Sequence, residues 1–324
     1  MNRNPKIIIC DCDHKDVEME RAVFEAAGFG DFKWLNCKTE QDVIEQCQGA
    51  VALLNQYTPM NEKVFRGVPS LKMVVRYGVG VDNVNLEDAT RYGVQICNVP
   101  DYGTNEVADQ ALALMLSITR KIHHVGNLTK SGVWNYQETI PVHRHSCRTV
   151  GIVGVGRIGT AFAHRVQALG CRVIACEPRF GKPPYQPPDF IEFQSSLEEV
   201  LQQSDVVSLH CSLTEETRNI MDATAFSQMK DGACFINVSR GGLVDEQALE
   251  AALASGKLSG AGLDVVCSEP LAKESPLFRH DNVVITPHMG WYSEESAMEL
   301  KEKCAREAVR FVTGQRVHYP VNQV

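Results

Sequence analysis

The chain is predicted to be α/β, with two doubly wound parallel-sheet domains, and three observations carry that reading. Short apolar runs alternate with helical stretches almost from end to end. The runs are continuously apolar, as strands covered on both faces are. A Gly-x-Gly-x-x-Gly turn, GVGRIG at residues 154–159, falls near the middle of 324 residues. A dinucleotide turn normally lies close to the start of its domain, so a complete α/β alternation precedes it.

Taken in order, KIIIC (6–10) predicts a first strand, and apolar residues at helical spacing over 17–27 predict a helix stopped by Gly28. AVALL (50–54), KMVVR (72–76) and VQICNV (94–99) supply further strands of a parallel sheet. Residues 104–132 form the longest helical pattern. Thr104 or Asn105 suits its cap, Glu106 suits the positive end of the helix dipole, and Gly132 closes it. A second alternation then runs through TVGIVGVG, CRVIACE, DVVSLH, ACFINV, GAGLDVV and NVVITPH, six strands of a Rossmann-type sheet. Ser293 is placed to cap a last helix reaching about Val312 and ended by Gly314. FGKPPYQPPDF (180–190), with four prolines, predicts a surface loop. Two such domains predict a cleft in which a cofactor and a substrate meet.

Composition narrows the partners. A net charge of −8 and the lack of any long basic cluster argue against nucleic acid and anionic membrane. The N-terminal apolar run is four residues long, too short for a signal peptide, and no later run is long enough to span a bilayer. The expectation is a cytosolic protein. Of twelve cysteines, most stand singly in strand-like runs (Cys97, Cys176, Cys211, Cys234) and read as small buried hydrophobes. Cys10, Cys12 and His14 lie close together, but no second Cys or His pair follows at zinc-site spacing, so no metal is expected.

The turn at 154–159 has the context that its spacing alone lacks. A strand precedes it and a helix follows, opening on Arg157 and Ile158. Gly154 permits the tight turn, Gly156 lets backbone approach a pyrophosphate, and Gly159 lets the helix pack on the strand. The next strand ends in Glu177, where a carboxylate accepts ribose hydroxyls and repels a 2′-phosphate. NAD is therefore expected over NADP, with Arg179 nearby as the residue that softens the preference.

Three charged residues end later strands of the same sheet, on the edge where such sheets bind ligands: Arg240, Glu269 and His288. Each has a plain structural explanation, but together they meet the needs of hydride transfer at a hydroxy acid. His288 suits the base for the hydroxyl proton, because an imidazole titrates near working pH. Glu269 suits the group that orients it and favours its protonated form, and Arg240 suits the grip on a substrate carboxylate.

Seven ordered segments resemble the D-2-hydroxyacid dehydrogenase family over nearly the whole chain: RYGVGVDNVNL, NVPDYGTNEVADQALALML, GIVGVGRIG, DVVSLHCSLTEETRNIM, INVSRGGLVDEQAL, GLDVVCSEP and TPHMGWYSEES. The resemblance implies the same roles for Arg240, Glu269 and His288, a nicotinamide carboxamide contact for Asp264, and a place for Thr217 near the adenosine half. The cofactor set is completed by Thr104, Cys211 and Ser239. The resemblance also implies that YGVG directs the backbone amides of Val79 and Gly80 at the substrate carboxylate. It implies a flavodoxin-like substrate domain, 1–100 with 291–324, into which a Rossmann NAD domain, 101–290, is inserted. It implies a homodimer formed in part by the long helix from Thr104.

Glu269 stands where related formate enzymes carry glutamine, which argues against formate. GWYSEES resembles the branch containing the C-terminal-binding proteins, in which a tryptophan can lie over the substrate side chain. Trp291, with Tyr57 and Tyr102, is accordingly expected to form an apolar wall suited to a larger 2-keto acid, or else Trp291 staples the last helix to the core. That branch also includes NAD-sensing corepressors, a second class of function that a short C-terminal tail disfavours. A third reading is a phosphoglycerate- or hydroxypyruvate-specific dehydrogenase; phosphoglycerate oxidation would need a cationic pocket for the phosphate, and near the substrate loop Arg76 stands without an evident cluster.

Overall fold

The computed structural model describes residues 6–179, 181–182 and 186–324. The proline-rich loop expected over 180–190 lies partly outside them. The chain divides into two compact units, Met1–Gly103 with Ser293–Val324, and Thr104–Tyr292. Trp291 falls with the second unit.

The first unit is a five-stranded parallel sheet of β1 (Lys6–Ile9), β2 (Lys33–Trp34), β3 (Ala50–Asn55), β4 (Met73–Arg76) and β5 (Gln95–Cys97) in the order β2-β1-β3-β4-β5. Its central strands are buried along their length because helices cover both faces. Helix α1 (Glu18–Ala26) ends two residues before Gly28, whose φ of 83° is open to glycine at little cost. The final helix, α11 (Glu294–Val312), rests on α1, β3 and β4. Ser293 caps it by accepting the Ser296 amide, and Ser296 returns the bond to the Ser293 amide.

The second unit is a seven-stranded parallel sheet, β12-β11-β10-β9-β6-β7-β8. Its strands are β6 (Thr149–Val153), β7 (Arg172–Cys176), β8 (Glu192–Phe193), β9 (Val206–Leu209), β10 (Ala233–Asn237), β11 (Leu258–Leu263) and β12 (Val283–Ile285). The order reverses between β6 and β9, which sets a topological switch point at the C-terminal end of β6. Two separate apolar cores cover the two faces.

Three sequence expectations change. The two-residue strands β2 and β8 add an edge to each sheet. The long helix over 104–132 is two helices, α5 (Thr104–Thr119) and α6 (Ile122–Lys130), because Lys121 takes a left-handed φ of 53° between them. Thr104 and Asn105 are both inside α5, and the Asn105 Oδ1 is bonded by Arg165 rather than capping the helix. Among the described residues no helix is long and apolar enough to cross a membrane, and no cluster of three metal-ligating side chains occurs.

Candidate active site

The nucleotide turn leaves β6 at Gly154, whose φ of 91° favours glycine. A Cβ there would lie 2.7 Å from the Cys211 nitrogen, which explains how closely the turn meets the strand beside it. A Cβ on Gly159 would collide with the Gly154 carbonyl oxygen. Gly156 is different: among the described residues a Cβ there would find only the Arg179 Nη2, at 3.8 Å. Its bareness therefore serves something other than protein packing. Gly156 is also the N-cap of helix α7 (Arg157–Ala168) and offers no side-chain cap bond to the first-turn amides. Open backbone above a helix N-terminus suits a pyrophosphate. The residues present thus fit a dinucleotide.

At the end of β7 the Glu177 carboxylate is almost wholly covered. The Val155 amide donates to its Oε2 at 2.9 Å, and Arg179 donates through Nε at 2.8 Å and Nη2 at 2.8 Å. That guanidinium, opposed only in part by burial, holds the carboxyl below its usual range. Cys211, at the end of β9, is half-buried and its thiol is pushed up to about 11 by burial, so it is an inert wall. Thr217 belongs to a local turn in which its hydroxyl donates to the Ser212 carbonyl at 2.8 Å and accepts the Thr214 amide at 2.7 Å. The Ser239 hydroxyl ties the end of β10 to β9 by donating to the Leu209 carbonyl at 2.9 Å.

The three charged residues follow β10, β11 and β12. The Arg240 Nη1 donates to the Ser239 carbonyl at 2.7 Å, and its charge reaches Glu269. His288 Nδ1 lies 2.7 Å from the Glu269 Oε2, and both side chains are more than a third exposed. Partial burial works to raise the Glu269 carboxyl, but the bond to His288 and the charges of His288 and Arg240 leave it below its usual range. Among the described residues His288 Nε2 has no protein hydrogen-bond partner, so the Glu269 bond leaves that nitrogen open. The Asp264 carboxylate accepts from Thr286, Met289 and Gly290, three of its roughly four acceptor positions. Burial raises its carboxyl above the usual value.

Residues 112–290 match the D-isomer-specific 2-hydroxyacid dehydrogenase NAD-binding domain. The chain is 34% identical over 283 residues to a glyoxylate reductase of Korarchaeum cryptofilum, covering 86% of this chain and 84% of that one. The chain belongs to the D-isomer-specific 2-hydroxyacid dehydrogenases. The dehydrogenase is also 35% identical to a hydroxypyruvate reductase of Blautia hydrogenotrophica, over 88% of each chain. A solved glyoxylate reductase from Paecilomyes thermophila superposes with a TM-score of 0.87 at 28% identity, over 99% of both chains. The protein is accordingly an NAD-dependent oxidoreductase acting on a CH–OH group, a 2-hydroxy acid reductase.

In the first unit, the loop after β4 carries Val79 and Gly80. Its carbonyls are tied back: the Asn98 Nδ2 donates to Val79 O at 2.6 Å and the Val99 amide to Gly78 O at 3.0 Å. The Val79 and Gly80 amides have no acceptor among the described residues. The Tyr57 hydroxyl donates to Asp13 at 2.7 Å, and Tyr102 is only 8% exposed. In the second unit Trp291 is half-buried and edge-on to Tyr292, with ring centroids 5.6 Å apart.

Three residues escaped the sequence reading. His210 is half-buried behind the nucleotide turn with its Nδ1 covered; its ring is tilted against Phe162 at 4.9 Å and its Nε2 is bonded to the Ser208 hydroxyl at 2.9 Å. Gln110 and Thr286 stand beside the His288 turn. No motif marks His210 or Gln110; Thr286 lies within TPHMG but carries no charge to draw attention.

Proposed function

We propose that the dehydrogenase reduces a short 2-keto acid of the glyoxylate and hydroxypyruvate class, with His288 as proton donor and Arg240 as the carboxylate grip. The observation that carries this is the 2.7 Å bond between His288 Nδ1 and Glu269. It fixes the imidazole with Nδ1–H towards the carboxylate and leaves Nε2 for substrate. The bound nicotinamide supplies or takes up the hydride at C2. In reduction, His288 Nε2 gives its proton to the carbonyl oxygen, and Glu269 steadies the imidazolium before transfer. In oxidation, neutral Nε2 takes the hydroxyl proton. Arg240 neutralises the carboxylate and polarises the C2 oxygen.

Glycines 154, 156 and 159 with Arg157 and Ile158 are proposed for the pyrophosphate, and Glu177 for the adenosine ribose. Thr104, Cys211, Thr217 and Ser239 are proposed to line the cofactor, and Asp264, with one acceptor position left, to take the carboxamide. In the first unit the paired Val79 and Gly80 amides suit a carboxylate.

The named relatives favour short acids. So does the state of the proposed aromatic wall, since Tyr102 is buried and the Tyr57 hydroxyl is engaged. Affiliation with the C-terminal-binding-protein-like branch rests on GWYSEES alone. The deciding experiment is a panel of glyoxylate, hydroxypyruvate, pyruvate, 4-methylthio-2-oxobutyrate and phenylpyruvate with NADH and with NADPH. Highest kcat/KM for the first two with NADH supports the proposal. Highest kcat/KM for phenylpyruvate would restore the Trp291 wall, and a chain that binds NADH yet reduces none would favour the corepressor reading.

A homodimer is proposed through the surface after α5. Helix α6 buries none of its residues, and Ile122, Trp134, Tyr136 and Ile140 are 60%, 90%, 75% and 62% exposed. So much adjacent apolar surface suits an interface. Light scattering at the mass of one chain would exclude it. The cytosol is the proposed compartment, in keeping with twelve unpaired thiols.

A further inference from the structure

His288 sits in an unusual piece of backbone. Its φ is 52°, the left-handed region that a residue bearing a Cβ adopts only when its surroundings impose it. The His288 amide donates to the Asp264 carbonyl at 2.8 Å and to the Thr286 carbonyl at 2.9 Å. The next two amides close on the Asp264 carboxylate, Met289 at 3.1 Å to Oδ1 and Gly290 at 2.8 Å to Oδ2. Asp264 is therefore the inner anchor of the turn.

An outer anchor comes from a different element. The Thr286 hydroxyl gives its one proton to the Asp264 Oδ1 at 2.5 Å and in turn accepts from the Gln110 Nε2 at 2.9 Å. With the Gln110 amide in place the hydroxyl has one of its two lone pairs engaged and its proton aimed at Asp264. The stem of the same side chain meets the far end of the turn: a Cβ on Gly290 would lie 3.1 Å from the Gln110 Cγ and 3.3 Å from its Cβ. One side chain of α5 thus touches residue 286 with its head and residue 290 with its stem, and spans the histidine between them. Helix α5 packs on β11 and β12, the strands that lead into Asp264 and His288. Gln110 itself is half-buried, and its amide is engaged by the Thr286 hydroxyl.

We propose that Gln110 is a positioning residue for His288, acting through Thr286, Asp264 and the backbone of the turn to hold the imidazole in its reacting orientation. The inference rests on His288 being the acid–base group. Gln110 touches no reacting atom; its effect is on how well the histidine is aimed, and small misplacement of an acid–base group is costly.

The test uses Gln110→Met, which keeps a stem and removes the amide, together with Thr286→Val, Thr286→Ser, His288→Ala and the Gln110→Met/His288→Ala double variant. Glyoxylate reduction and NADH binding by fluorescence are measured for each. Gln110→Met and Thr286→Val are expected to lose about tenfold in kcat with NADH affinity within about twofold, and Thr286→Ser to return most of it. In the His288→Ala background, Gln110→Met is expected to cost less than about twofold, because the group it serves is gone. Gln110→Met at the parental kcat beside a crippled His288→Ala overturns this proposal alone, as does an equal loss in both backgrounds. His288→Ala at the parental rate overturns the acid–base reading as well. If Gln110→Met does not fold, the Thr286 pair decides on the same criteria.

Discussion

Arg179 folds back onto Glu177 and fills its carboxylate. Nε and the backbone amide of Arg179 reach Oε1 at 2.8 and 3.1 Å, while Nη2 and the Val155 amide reach Oε2 at 2.8 and 2.9 Å. Four donors meet a group with about four acceptor positions. A ribose diol can bond Glu177 only by displacing some of them, and the guanidinium is the most exposed of these donors, its side chain being 56% exposed. Arg179→Ala is therefore expected to lower the KM for NADH about threefold, the scale of an exposed ion pair. Glu177→Ala should release Arg179 towards a 2′-phosphate and raise kcat/KM with NADPH about tenfold, at the expense of NADH. Steady-state kinetics with both cofactors checks this. Weaker NADH binding in Arg179→Ala would mean that the arginine assists the ribose rather than competing for the carboxylate.

The His288–Glu269 bond makes a prediction about pH. Glu269 is held below its usual range despite burial, by its bond to His288 and by the charges of His288 and Arg240. Its carboxylate therefore persists at pH values where an ordinary glutamate takes up a proton, and it is lost only as pH falls through that lowered value. Glu269→Gln removes the carboxylate at every pH, so keto acid reduction should fall about tenfold at neutral pH and lose the acid limb that Glu269 contributes. His288→Ala and Arg240→Ala should lose at least about 100-fold in kcat/KM with NADH affinity nearly unchanged. A Glu269→Gln profile that overlays the parent would deny the coupling.

The strands, and the charged groups proposed to carry this chemistry, were legible because each writes a local signature. Continuous apolar runs marked the central strands, and Glu177, Arg240 and His288 follow such runs directly. What stayed hidden depends on contacts between distant segments. Strands β2 and β8 have two residues each, too few for any period to show. Lys121 breaks a helix although neither glycine nor proline is there to signal it. Gln110 reads as one more polar residue on a long helix, and only the packing of α5 beside the 286–290 turn gives it a task. The pairing of Arg179 with Glu177 depends on a loop conformation that no motif specifies.

The three glycines of the nucleotide turn should separate folding from binding. Gly156→Ala adds a methyl group at ordinary contact distance from the Arg179 Nη2, so stability should stay within about 0.5 kcal/mol of the parent. That methyl would occupy the backbone's approach to the proposed pyrophosphate, and NADH affinity should fall at least about tenfold. Gly159→Ala meets the Gly154 carbonyl, so it should lose stability as well as binding. Thermal melts with and without NADH distinguish them. A Gly156→Ala protein that binds NADH like the parent would remove the cofactor from this turn.

His210, half-buried with its Nδ1 covered, gives folding stability a pH dependence of definite sign. Burial lowers its pKa to about 3, against an unfolded value of about 6.5. Below about 6.5 the unfolded chain gains a proton there that the folded chain does not. Folding stability is therefore expected to fall with acidification, by up to about 1.4 kcal/mol per pH unit from this residue, until the pH nears 3. Carboxylates and other histidines titrate too, so the measurement is a difference. His210→Gln keeps a hydrogen-bonding partner for Ser208 and cannot titrate. It should be less stable than the parent at pH 7, and the gap should close by about 2 kcal/mol between pH 7 and pH 5. Urea midpoints at pH 7, 6 and 5 report it. Parallel curves for the two proteins would show that His210 takes up its proton in the folded state and would overturn the lowered value.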